Sequence, residues 1–150
     1  MASTVGNLFG GGDLNTNRLI PGTILAALQG QGVDIRSDGS FVRDYFYVKD
    51  AVDAYLTLAE RLPEAGIDGE AFNFGLERPL SVLEMVDCVL GVMDCRHLEP
   101  VILNEASAEI PAQYLDCKKA HDFLNWQPTR TMEEALSETV DWYRKHVRGA

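Results

Sequence analysis

Between Val48 and Leu62 the apolar residues Val48, Ala51, Val52, Tyr55, Leu58, Ala59 and Leu62 recur at intervals that follow a helix. The spacing predicts one helix with a single buried face. Two later helices announce their starts. Ser81 with Glu84, and Thr131 with Glu134, fit the capping box, in which side chain and backbone satisfy each other's exposed donors. The second of these carries Glu133 and Glu134 in its first turn and Arg144, Lys145, His146 and Arg148 near its end, a polarity that suits the helix dipole. Pro21 opens an apolar stretch, Ile24 to Leu28, which reads as a short helix ended by Gly30 and Gly32. Asp116 is placed to cap another short helix through Leu124. Val33 to Ile35, Ala71 to Phe74 and Pro100 to Leu103 read as strands, and Tyr45-Phe46-Tyr47 as an aromatic stretch that favours extended backbone. Glycine and polar clusters at Gly10 to Asp13, Ser37 to Ser40 and Pro63 to Gly69 mark loops. Helices and short strands alternate with no repeat or linker, so the class is α/β or α+β.

At 150 residues, with 46% apolar and 24% charged content, the chain is domain-sized and can bury a core without a metal or a crosslink. The net charge of −10 argues against general binding to nucleic acid or to an anionic membrane. That charge is uneven. Residues 1–45 hold Arg18, Arg36 and Arg43 against Asp13, Asp34, Asp38 and Asp44, a balance of 3 − 4 = −1. An anion site would use those three arginines, unless they are surface residues. Cys88, Cys95 and Cys117 lack the spacing of a zinc site or a redox pair. Free thiols and the lack of a leader or a long apolar run suggest the cytoplasm.

Two apparent cofactor signals fail on chemistry. Gly10 to Gly12 lacks the spacing of a dinucleotide turn and leads into loop residues. Tyr45 and Lys49 match the YxxxK pattern of short-chain dehydrogenases, but that pair must share one helix face. Here the tyrosine lies in an extended stretch, where residues four apart stand roughly 13 Å apart. Chance explains it. His97, His121 and His146 are scattered, Trp126 and Trp142 read as packing residues, and Glu133, Glu134, Glu138 and Asp141 read as a solvated helix face.

One resemblance is specific. Gly6-Asn7-Leu8-Phe9-Gly10-Gly11-Gly12-Asp13, followed by Arg18-Leu19-Ile20-Pro21, resembles the segment after the catalytic helix of extended short-chain dehydrogenases, most of all the CDP-glucose 4,6-dehydratase branch. Arg43 to Ala51 resembles the R-D-[aromatic]-x-[YH]-V-x-D-x-A signature of NAD-dependent epimerases and dehydratases acting on nucleotide sugars. Phe72-Asn73-Phe74-Gly75 and Leu124-Asn125-Trp126-Gln127-Pro128 are similar to two later blocks of that family. The resemblance implies an α/β fold: the C-terminal, substrate-binding part of an extended short-chain dehydrogenase of Rossmann type, with residues 1–150 acting as a single unit.

It also implies roles. Asn7 matches an asparagine that hydrogen-bonds the diphosphate of the nucleotide sugar, and Arg43 an arginine that pairs with it, as a guanidinium fork suits phosphate oxygens. The alternative for Arg43 is a surface ion pair with Asp44 or Asp50. Arg18 and Arg36 match basic positions near the nucleotide, and Val33 to Ile35 aligns with a strand beside the base. Where many members carry an arginine in a DRPGD-like loop, this chain reads Asn104-Glu105-Ala106-Ser107, closer to the CDP-glucose branch, which gives Glu105 a substrate role. That branch has Pro-Trp-Gln-His at Asp44 to Tyr47, so features of two branches are mixed here. In the family the cofactor fingerprint and the catalytic tyrosine and lysine precede the block that starts at Gly6. The expectation is therefore an NAD-dependent parent enzyme, no NAD bound by this chain alone, no turnover, and a homo-oligomer. The competing expectation is a non-enzymatic module that binds a nucleotide sugar or self-associates.

Overall fold

A computed structural model describes residues 2–64, 66–67, 69–105 and 109–147. The chain starts as one extended run, β1 (Ala2–Val5) and β2 (Asn7–Phe9), divided at Gly6. β1 pairs in parallel with β6 (Ala71–Phe74), and β2 in parallel with β5 (Tyr45–Tyr47). The partner changes within two residues: Gly6 N donates to Phe74 O at 3.2 Å and Asn7 N to Asp44 O at 2.7 Å. A Cβ at position 6 would stand 2.7 Å from Asp44 O, so glycine is what allows the backbones to meet.

Around this run lie α1 (Leu19–Leu28), β3 (Asp34–Ile35), β4 (Val42–Arg43), α2 (Val48–Arg61), β7 (Leu80–Ser81), α3 (Val82–Val92), β8 (Val101–Ile102), β9 (Ala112–Gln113), α4 (Lys118–Leu124) and α5 (Met132–His146). β3 pairs in parallel with β8, while β4 sits between antiparallel β7 and parallel β9. The apolar residues separate into two cores. Ile24, Met85, Val89, Leu136 and Tyr143 fill the larger, where α1, α3 and α5 meet. Phe46, Phe72, Phe74, Leu124 and Trp126 fill the smaller, against Ala51, Ala54 and Leu58 of α2.

The expected helices form. Both capping boxes are closed in both directions, at Ser81 with Glu84 and at Thr131 with Glu134. α1 starts two residues before Pro21, which sits in the first turn, where its missing N–H costs nothing. The residue flanking α4 is Cys117, but Asp116 Oδ1 still accepts from Lys118 N at 2.8 Å. The largest correction concerns α2. Ala51, Ala54 and Leu58 face the core, while Val52, Tyr55, Ala59 and Leu62 are exposed. Asp50 is buried instead, because its Oδ1 accepts from Thr129 N, Thr129 Oγ1 and Arg130 Nη1. Glu138 is likewise more than a solvated charge. It accepts hydrogen bonds from Lys49 and from the Tyr47 hydroxyl, which hold its carboxyl below the usual range and tie α5 to β5 and α2.

Gly75 ends β6 beside the buried Asp44, whose carboxyl is pushed up by burial while Leu76 N donates to its Oδ1 at 3.2 Å. A Cβ on residue 75 would stand 2.1 Å from Asp44 Oδ2 and 3.1 Å from its Cγ. Gly75→Ala is expected to cost about 1–3 kcal/mol, as overpacking does. The urea midpoint reads it, and an unchanged midpoint would contradict the close approach.

Candidate functional site

Two adjoining cavities open beside α1. The larger, about 840 Å³, lies among α1, β3 and the chain following β8. The smaller, about 270 Å³, lies over β2 and the end of β4. Arg18, Leu19, Val82 and Glu109 line both. All five residues singled out in the sequence converge here. Asn7, Arg18 and Arg43 line the smaller cavity, and Arg18, Arg36 and Glu105 the larger.

Each is positioned by local structure. Asn7 opens β2 in register with Tyr45 of β5. Arg43 closes β4, a strand fixed on both edges by β7 and β9. Its Nη1 donates to Val42 O at 2.8 Å, its guanidinium lies 5.8 Å from the centre of the Phe41 ring, and its side chain is only 16% exposed. The cation is held ready rather than left to wander. Its carboxylate partner is neither Asp44 nor Asp50, since those accept from Leu76 N and from Thr129 and Arg130. It is Glu109, at 3.5 Å. Arg18 flanks the start of α1 and pairs with Asp13 at 3.0 Å. Arg36 follows β3, and its carbonyl accepts from Glu105 N at 2.7 Å, which brings those two residues to one wall.

Sequence reasoning gave no role to several further polar residues of these cavities, among them Asp13, Tyr45 and Glu109. Tyr45 was legible. It stands two residues after Arg43, and alternate residues of an extended segment face the same side. Burial pushes its hydroxyl up to about 12, with the Arg43 charge pulling the other way, so at neutral pH it is a protonated hydrogen-bond donor. Glu109 carries no local signal, because its meeting with Arg43 spans sixty-six positions.

Neither rejected cofactor signal takes the form its chemistry needs. A Cβ at Gly10 would stand 2.4 Å from Val48 Cγ1, and one at Gly11 2.4 Å from Trp142 Cγ. The turn is thus crowded by side chains at Gly10 and Gly11 and open only at Gly12. Tyr45 lies in a strand and Lys49 in the first turn of α2, so they share no helix face. Cys117 is buried, and burial pushes its thiol up to about 12, which makes it inert. Among the described residues no group of three or more His, Cys, Asp or Glu side chains is placed to hold a metal. Among the same residues no helix is long and apolar enough to cross a membrane.

Residues 2–75 match the NAD dependent epimerase/dehydratase family. Its relatives include nucleotide-sugar epimerases and dehydratases. UDP-glucose 4-epimerase of Mycoplasma pneumoniae is 33% identical over 147 residues, which cover 92% of this chain and 43% of that protein. The crystal structure of UDP-glucose 4-epimerase with UDP-glucose from Thermotoga maritima aligns with a TM-score of 0.84 at 31% identity, over 97% of this chain and 46% of that one. dTDP-glucose 4,6-dehydratase of Bacillus anthracis, solved in complex with NAD, aligns with a TM-score of 0.78 at 25% identity, over 96% and 44% of the two chains. The fold is therefore α/β and Rossmann-like. The chain spans less than half the length of these relatives.

Proposed function

We propose that residues 1–150 form, as one unit, the substrate-binding part of an NAD-dependent nucleotide-sugar epimerase or 4,6-dehydratase. Asn7, Arg18 and Arg43 hold the diphosphate in the smaller cavity. Arg36 and Glu105 face the nucleoside in the larger one. The observation that carries this reading is the convergence of all five residues on two adjoining cavities that share Arg18. A small chamber with two arginines beside a larger polar one suits a diphosphate with a bulky group attached.

In such enzymes NAD exchanges hydride with the sugar, and the protein supplies binding and orientation. This chain's share is orientation. Tyr45, whose hydroxyl stays protonated, lines the smaller cavity with Asn7 of β2 and Arg43 of β4, each a source of hydrogen-bond donors. Alone, the chain binds a nucleotide sugar without converting it, in the cytoplasm. The blocks at Gly6 to Asp13 and Arg18 to Pro21 put CDP-glucose among the candidates with UDP- and dTDP-glucose. Calorimetric titration with the three is expected to give one-site binding, with no NAD reduction and no sugar conversion. Turnover by the isolated chain would overturn the assignment.

A second reading has its own support. Val52, Tyr55 and Leu56 lie exposed along α2, an apolar surface that favours self-association as a binding module or homo-oligomer. Light scattering that gives a monomer at high concentration would remove it.

A further inference from the structure

Both arginines of the smaller cavity meet a carboxylate at its rim, and the two pairs differ in kind. Asp13 lies five positions from Arg18 and lines the smaller cavity alone. Glu109 comes from a distant segment and lines both cavities, so a ligand occupying the two together passes beside it. Backbone hydrogen bonds fix Glu105 and Pro111, four positions before Glu109 and two after it. Glu105 N donates to Arg36 O at 2.7 Å on one side, and Val42 N donates to Pro111 O at 2.8 Å on the other. The Glu109 side chain is not pinned. It reaches Arg43 through a single approach of 3.5 Å and is 53% exposed.

The charges of the smaller cavity cancel: Arg18 and Arg43 against Asp13 and Glu109. A diphosphate entering there meets an acid already seated on the arginine that should receive it. Resting on the reading above and deepening it, we propose that Glu109 is a built-in stand-in for the ligand's phosphate. It holds Arg43 while the cavity is empty and turns away toward solvent when a diphosphate arrives. A single long contact gives way to a group that offers several phosphate oxygens to the guanidinium fork, whereas a lone carboxylate gains nothing by the exchange. The residue raises the threshold for weak anions and leaves multidentate phosphates as the ligands that pass it, a repulsive element acting in specificity.

The test is a double-mutant cycle on the full chain, with UDP-glucose and inorganic pyrophosphate as probes. Glu109→Gln, which keeps shape and removes charge, is expected to bind both probes about three- to ten-fold tighter. In an Arg43→Ala background the same change is expected to yield less than two-fold, since no guanidinium is left to release. Weaker or unchanged binding by E109Q overturns the proposal, weaker binding showing that the glutamate touches the ligand. A gain undiminished in the Arg43→Ala background also overturns it, as a general charge effect. The parent reading fails separately. If neither the native chain nor E109Q binds either probe, the phosphate site is misassigned. If the native chain binds and Arg43→Ala weakens it while E109Q changes nothing, only the role of Glu109 falls.

Discussion

Replacing Arg43 with alanine is expected to weaken binding of UDP-glucose by about ten- to a hundred-fold. A hydrogen bond to a charged group contributes roughly 1.5–3 kcal/mol, and each 1.4 kcal/mol is about ten-fold in affinity. The upper part of that range applies because the guanidinium is already ordered. Val42 O accepts from one of its nitrogens, Phe41 lies beneath it, and the side chain is largely buried. Little rotamer freedom remains to be lost on binding. Arg43→Lys is expected to fall between native and alanine, since it keeps the charge and loses the fork. Thermal unfolding of both variants should stay close to native, because the Glu109 contact is a single long ion pair with a half-exposed carboxylate, of the kind that contributes little to stability. Native affinity in Arg43→Ala would remove the arginine from the site.

The largest effect on stability is expected at Phe74. Its ring is fully buried in the smaller core, edge-on to Trp126 at 5.0 Å and to Tyr55 at 6.4 Å, and stacked with Phe72 at 6.5 Å. Phe74→Ala removes the residue on which three other rings meet and should cost about 3–5 kcal/mol. For a chain of this size that corresponds to a melting temperature lower by roughly 6–20 °C. Phe74 also closes β6 against β1, the pairing that leads into Asn7. Binding should therefore weaken at temperatures where the native chain is still fully folded. A loss below about 1 kcal/mol would show that the smaller core closes around the gap.

What could be read from the sequence was mostly local. Ser81 with Glu84 and Thr131 with Glu134 are three residues apart, and their capping boxes depend on little else. Ala71 to Phe74 was legible because aromatic side chains sit at alternate positions before a glycine. The five proposed site residues come from motif resemblance, and all five line one or other of the two cavities. What was missed is non-local. The strands β4, β7 and β9 are two residues each and take their form from one another. The partner of Arg43 lies sixty-six positions away. On α2 the periodicity was real, but two apolar stripes compete on that helix. The narrower one, Ala51, Ala54 and Leu58, meets the core, because Asp50 beside it is anchored by Thr129 and Arg130.

On the proposed reading, the two adjoining cavities bind the diphosphate and nucleoside of a nucleotide sugar. Amide chemical-shift mapping during titration with UDP-, dTDP- and CDP-glucose tests it most directly. Saturable shifts are expected at Asn7, Arg18, Arg36, Arg43, Glu105 and Glu109 with at least one of the three, with quiet amides along α2 and α4. Shifts centred on the exposed face of α2, or none with any of the three, would contradict it.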